Sequence, residues 1–198
     1  MKNNLLHPIR NKKTEGPAFP TGPSLRHPHQ TVCLKEYGRI TLRPIEVEDE
    51  PHMVHFHEKL SEESIYLRYF EHMSLDTRTL HERLAWVCRN TEDSLAIVAE
   101  RPAVSHRAPE IIAVGRLTTT DISGVASFAM LMNETAQRSE LPSLLLKRLM
   151  VIAHADGFHT LSGELLVVDH DALTLCRSLG FTLQTVLEDG IVCVSHAL

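Results

Sequence analysis

The spacing of apolar residues becomes regular from about residue 37 onward and changes its period several times. Residues 39–45 (Arg-Ile-Thr-Leu-Arg-Pro-Ile) alternate polar and apolar side chains, which predicts a strand closed by Pro44. Residues 49–60 carry an amphipathic helical pattern with Pro51 in the first turn, where a missing N–H costs little. A second short helix follows Ser61, whose hydroxyl suits a cap, and includes Ser64, Ile65, Leu67 and Arg68. Residues 75–89 read as one further helix started by Ser74 or Asp76, with Leu80, Leu84, Trp86 and Val87 on its core side. Two segments rich in Ile, Val and Ala, 94–100 and 110–119, read as neighbouring antiparallel strands, and a third strand at 125–132 follows the Asp121-Ile-Ser-Gly124 turn. The clearest helix covers 141–157: Leu141, Leu145, Leu149 and Ile152 share one face and Gly157 supplies the stop. A nearly all-apolar strand is expected over 160–168, then a helix capped by Asp169 and ended by Gly180. Two last strands, 181–187 and 191–196, flank Glu188-Asp-Gly190.

This order predicts an α+β domain with a mixed, mostly antiparallel sheet of six to seven strands, helices on both faces, and one parallel crossover through the 141–157 helix. Composition divides the chain in two. The first 30 residues hold Pro8, Pro17, Pro20, Pro23 and Pro28, with Lys2, Arg10, Lys12, Lys13 and Arg26 against Glu15 alone. They read as a disordered basic leader, solvated or else docked on the acidic body or on a partner, with the folded domain over 31–198.

The remaining charge is strongly acidic, with 15 bases and 24 acids beyond residue 30. Such a body lacks the basic face that phosphate contacts need, so nucleic acid is not expected as a partner. No run approaches the roughly 18 apolar residues of a membrane span. The absence of a secretory pattern predicts a cytoplasmic protein. Cys33, Cys88, Cys176 and Cys193 form no CxxC pair, which suits a reducing compartment and opposes a thiolate metal site. His52, His55 and His57 do not share one helical face, so no metal site is expected there either.

Four stretches carry a resemblance: Leu42-Arg-Pro-Ile-Glu-Val-Glu-Asp-Glu-Pro51; Phe56-His-Glu-Lys-Leu-Ser61 with Ser64-Ile-Tyr-Leu-Arg-Tyr-Phe70; Leu161-Ser-Gly-Glu-Leu-Leu166; and Leu173-Thr-Leu-Cys-Arg-Ser-Leu-Gly-Phe181. With the element order, they make residues 38–196 resemble the GNAT superfamily of acyl-CoA-dependent N-acyltransferases. Within it, the chain looks most like the acetyltransferase domain of bacterial protein-lysine acetyltransferases. The resemblance implies the GNAT fold and acetyl-CoA as cosubstrate. It also implies an amine acceptor, a protein lysine or a small amine.

It further implies sites. The family's diphosphate loop aligns with Gln137-Arg-Ser-Glu-Leu-Pro142, where both glycines of the family pattern are gone. Glu140 puts a carboxylate where an anion should sit, and Pro142 removes a donor. Weakened cofactor affinity follows, with Glu140 filling the anion site from within and Arg138, Lys147 and Arg148 as partial offsets. The backbone of 128–132, hence Phe128, Met130 and Met132, would receive the pantetheine arm; Gln137, Arg138 and Ser139 belong to the loop. Ser127 stands at the family's glutamate base, Cys176 at its tyrosine acid, and Asp169 at a common asparagine. Glu164 is a further carboxylate near the cleft. For Cys176 a small apolar core role is the alternative, and for Asp169 a helix cap. Arg68 either recognises a substrate carboxylate or pairs with an acid of the body. Two functions stay open: an N-acetyltransferase of weakened activity, or a catalytically silent GNAT fold that binds a ligand or partner.

Overall fold

The computed structural model of the protein describes residues 16–21, 27, 29–103, 108–186 and 190–198. Eight strands form one sheet: β1 (Gln30–Leu34), β2 (Gly38–Pro44), β3 (Ser94–Arg101), β4 (Glu110–Thr119), β5 (Val125–Met132), β6 (Thr160–Leu166), β7 (Thr182–Val186) and β8 (Ile191–Ala197). Their spatial order is β1-β2-β3-β4-β5-β6-β8-β7. Every pair is antiparallel except β5–β6. The helices are α1 (Glu50–Glu58), α2 (Glu62–Tyr69), α3 (Leu75–Thr79), α4 (His81–Val87), α5 (Glu134–Gln137), α6 (Leu141–Ala155) and α7 (His170–Ser178).

Two cores lie on opposite faces of the sheet. On one, Leu141, Leu145, Leu149 and Ile152 of α6 are completely buried against Leu95, Ile97, Leu117 and Ala126, with Leu173 and Cys176 of α7 in the same cluster. The helical stripe read from the sequence is therefore the face that α6 buries. Gly115 of β4 lets α6 come close: a Cβ there would stand 2.9 Å from Leu149 Cδ1. On the other face, Met53, Phe56, Ile65 and Leu84 of α1, α2 and α4 cover Ala96, Val98, Val114 and Leu131.

The turn after β2 is fixed by a buried ion pair. Arg43 donates to both carboxylate oxygens of Asp49 at 2.8 and 2.7 Å and to Glu100 at 2.9 and 2.5 Å, while Asp49 also accepts the Glu46 N–H at 2.8 Å. A bidentate guanidinium–carboxylate pair fixes orientation as well as energy, so the Arg43–Asp49 spacing sets where α1 begins.

Several sequence expectations are corrected. The sheet has eight strands, because β1 pairs with β2 from Gln30 onward; four of its five residues are not buried, so it carries little hydrophobic pattern. Segment 75–89 is two helices, since Leu80 leaves the helical region (φ −53, ψ 130). The break rotates the phase of α4: Leu84 points inward, but Leu80 and Trp86 are 57% and 41% exposed instead of lying in the core. Strand β6 stops at Leu166 and alternates in burial, so its apolar run does not mark a strand covered on both sides. The leader expectation extends too far. Phe19 is buried at 2%, stacks on Phe158 at 4.9 Å, and gives its N–H to the Glu92 carbonyl. His27 is buried beside Asp156 at 2.9 Å. Residues 1–15, 22–26 and 28 of the expected leader lie outside the described residues. None of the described helices is long and apolar enough to cross a membrane.

Candidate functional site

Strands β5 and β6 part company almost at once. They pair only over Val125–Thr160, Ala126–Leu161 and Ser127–Ser162. Beyond Ser127, β5 continues to Met132 with β4 on one side, Phe128 opposite Leu117 and Met132 opposite Ala113. Its other edge, residues 128–132, has no strand partner among the described residues. At the point of divergence the Phe128 ring lies against Gly163: a Cβ on Gly163 would meet Phe128 Cε1 at 2.6 Å. The same ring meets Phe181 edge-on at 5.5 Å. Phe128 and Met132 are buried in the core on the α6 face and Met130 packs against it, so what this edge offers a ligand is main chain.

The chain then turns into α6 through a helical turn, not a glycine loop. Asn133 caps α5 by accepting the Ala136 N–H at 2.9 Å and also receives the Tyr37 hydroxyl at 2.9 Å. Gln137 donates to Ser64 Oγ at 2.8 Å and to the Met132 carbonyl at 3.1 Å, tying the turn to α2. Ser139 Oγ donates to the Ala136 carbonyl and accepts the Leu141 N–H at 3.1 Å.

The expectation that Glu140 fills the anion site from within is therefore corrected. Glu140 has helical backbone angles (φ −76, ψ −8) and makes no side-chain capping bond. A capping side chain needs an extended backbone at that position, so Ser139 takes the first donor. Pro142 has none, which leaves Ser143 as the N–H of the first three residues of α6 not used in this way. Arg138 and Lys147 are exposed near this turn.

The remaining candidates do not converge. Ser127 is half-buried between Thr118 and Ser162, on the face opposite Phe128 and α6. By strand alternation Glu164 shares that face; it is exposed and lies opposite Cys193 of β8. Cys176, 1% exposed, belongs to the other core, where burial and then Asp169 push its thiol up to about 11. The structure thus separates Cys176 from Ser127 by the thickness of the sheet. Asp169 accepts the Ala172 N–H at 3.0 Å and caps α7; burial first, then neighbouring acids, raise its carboxyl above the usual range despite that bond. The three helix-α1 histidines take separate surroundings. His52 faces Asp49, His55 faces Glu58, and His57 is buried, held at about 4 by burial and then by Arg78 and Arg83.

On the Ser127 face a group of arginines appears that the sequence reading did not assemble. Arg68 and Arg83 lie 5.0 and 5.1 Å from the Tyr69 ring. Arg116 stands opposite Ala129 of β5, the next residue along this face from Ser127. Arg68 was already a candidate for a substrate carboxylate; the further signal was Arg116, a charged residue inside the apolar run of β4. A cavity of about 220 Å³ beside His55, Lys59 and Glu110 lies elsewhere, at the end of β4 where Glu110 is held by Lys59 and Arg101.

No protein-family model matches the sequence. Among solved structures, the chain is similar to the GNAT domain of S. lividans PAT, with a TM-score of 0.72 and 24% identity over 86% of this chain and 97% of that one. It is also similar to Mycobacterium smegmatis RimJ in complex with CoA-disulfide, with TM-score 0.66 and 12% identity over 85% and 86% of the two chains. A third similar structure is the ribosomal-protein-S5-alanine acetyltransferase from Vibrio fischeri, with TM-score 0.64 and 11% identity over 85% and 96%. These similarities run over at least 85% of this chain with TM-scores of 0.64–0.72: the chain has the GNAT fold.

Proposed function

We propose that the protein is an N-acyltransferase that takes the acyl group from acetyl-CoA and gives it to an amine, either a protein lysine or a small amine. The observation that carries this reading is the open β5 edge at residues 128–132, bounded by the start of α6. An extended thioester arm carries amide groups at intervals that suit a strand edge. The fit is uneven. The edge suits the arm, whereas the helix start offers the diphosphate the Ser143 N–H with Arg138 and Lys147 nearby and lacks a glycine cradle. Weak affinity follows from that difference.

Acetyl-CoA supplies an acyl carbon already activated as a thioester. The acceptor nitrogen bonds to that carbon, the carbon–sulfur bond breaks, the sulfur leaves with the electron pair as thiolate, and the proton that the nitrogen loses passes to water or to that thiolate. Ser127 can hold the incoming amine or a water by a hydrogen bond, but its hydroxyl does not accept a proton near neutral pH. Glu164 is exposed on the same face and Cys176 lies across the sheet. The amine must then arrive neutral, which predicts a rate that climbs with pH up to the acceptor's own pKa without an enzyme-derived shoulder.

The second reading, a catalytically silent module, is favoured by one feature: Ser139 and Pro142 between them remove two of the first three donors of α6. Thermal unfolding of the full chain separates the two, because a ligand that binds only the folded state raises its melting temperature. Stabilisation by millimolar acetyl-CoA, with CoA thiol released in the presence of a polyamine or lysine peptide, is the expected result. No shift and no thiol would leave the silent module. If the turn alone limits binding, Ser139→Gly combined with Pro142→Gly increases the shift.

A further inference from the structure

The fold treats its arginines in two ways. Arg43 is paired with Asp49 and Glu100, Arg78 with Glu62, and Arg101 with Glu110. Arg68, Arg83 and Arg116 form a separate group in which, among the described residues, no carboxylate lies within ion-pair distance. Arg68 and Arg83 both lie about the Tyr69 ring, at 5.0 and 5.1 Å. Arg83 Nε is buried without a hydrogen-bond partner. Arg116 is held by neutral groups, donating to Ser94 Oγ at 2.6 Å and to the Val87 carbonyl, with Trp86 5.7 Å away.

Such an arrangement is costly when empty. Like charges repel and each guanidinium has lost part of its water. The electrostatics register that cost: burial first, then Arg68, bring Arg116 down to about 10, and burial with Arg83 lowers Arg68 although Tyr69 opposes it. An oxyanion would relieve all three at once, and guanidinium forks match the geometry of carboxylate and phosphate oxygens. The location gives this meaning. Arg116 stands in register with Ala129, one of the residues whose β6-side edge is open, and diagonal to Ser127 on the same face. Facing side chains across a strand pair lie about 5 Å apart and diagonal ones about 7–8 Å. A ligand on the arginines is therefore within a short side chain's reach of the β5 edge.

We propose that Arg68, Arg83 and Arg116 bind an oxyanion, carboxylate or phosphate, on a small acidic amine that is the acceptor. This deepens the acyltransferase reading and rests on it for the word acceptor; the anion site itself requires no turnover. Binding is therefore measured directly.

The full chain is titrated with inorganic phosphate and, separately, with glutarate, at constant ionic strength set by chloride, following the melting temperature and the heat of binding. Saturable binding of either anion is expected, and the stronger of the two assigns the group as phosphate or carboxylate. Arg68→Gln and Arg83→Gln should each weaken that binding at least tenfold without lowering the ligand-free melting temperature, since each removes an uncompensated charge. Arg68→Lys should restore only part, because a point charge lacks the fork. Arg177→Gln on exposed α7, a control for general attraction of anions, should change nothing. No saturable binding by either anion overturns the proposal, as does equal weakening by Arg177→Gln. An anion site that persists while acetyl-CoA gives neither stabilisation nor thiol release would sink the acyltransferase reading and keep the anion site.

Discussion

Removing the Phe19 ring tests whether the segment ahead of the sheet belongs to the folded domain. The ring is 2% exposed, stacks on Phe158 at 4.9 Å, and is accompanied by the Phe19 N–H to Glu92 carbonyl bond at 2.9 Å. An aromatic side chain of this size buries about 200 Å², worth roughly 5 kcal/mol at about 25 cal/mol per Å² as an upper figure. Core Phe→Ala changes cost about 3–5 kcal/mol. The segment can also peel off locally, so the loss cannot exceed the free energy that docks it. About 3 kcal/mol is expected for Phe19→Ala, which for a chain of this size lowers Tm by about 6–12 °C. Thermal unfolding followed by circular dichroism gives the shift, and hydrogen exchange adds a local reading: the Phe19 amide is protected in the parent and unprotected in the variant. Deleting residues 1–21 should cost at least as much as the single change, since it releases the same Phe19 contacts. A variant melting within about 1 °C of the parent would refute the reasoning and return this segment to the solvated leader.

Four further outcomes follow from buried groups. His57 is held neutral in the fold down to about pH 4, by burial first and then by Arg78 and Arg83, while in the unfolded chain it takes a proton near 6.5. Stability from this source is present above pH 6.5 and falls as pH drops from there to about 4, by up to about 3 kcal/mol; His57→Gln should flatten urea midpoints across that window. Asp49 acts lower: burial opposes its charge, but Arg43 and the Glu46 N–H outweigh it and hold the carboxyl below the usual 3.8, so its contribution is present above 3.8 and is lost as pH falls from there through that lower value. Thiol titration of the native chain should modify exposed Cys33 and leave Cys88 and Cys176, pushed up by burial to about 12 and 11, unreactive until denaturant is added; prompt labelling of Cys176 would contradict its place in the core. Gly163→Ala sets a Cβ 2.6 Å from Phe128 Cε1 and should cost about 1–3 kcal/mol by overpacking. A double-mutant cycle with Phe128→Leu should recover most of that loss; additive losses would mean that the ring does not abut Gly163.

The period of the apolar residues was enough to establish strands β2 to β8 and helices α1, α2, α6 and α7 in their order, because each pattern reports a one-sided burial that is local in sequence. The stripe Leu141, Leu145, Leu149 and Ile152 and the caps at Ser61 and Asp169 were legible for that reason. The resemblance added the GNAT fold, resting on stretches such as Leu42–Pro51, whose Arg43 and Asp49 prove to be one ion pair. What tertiary structure alone decided was everything set by register and by neighbours distant in the chain. Leu80 broke a helix that its pattern extended, and the change of phase sent Trp86 outward to Arg116. Ser139 displaced Glu140 as the cap because backbone angles, not residue type, determine which oxygen reaches the first N–H. Phe19 was hidden by surrounding prolines, since a single buried ring leaves no periodicity. Cys176 and Ser127, both chosen by alignment, fell on opposite faces of the sheet, while Arg68, Arg83 and Arg116, 48 positions apart at their extremes, came together on one. Composition carries no information about such meetings, because they depend on how α2, α4 and β4 pack, and a charge's neighbours are fixed only when its whole face is assembled.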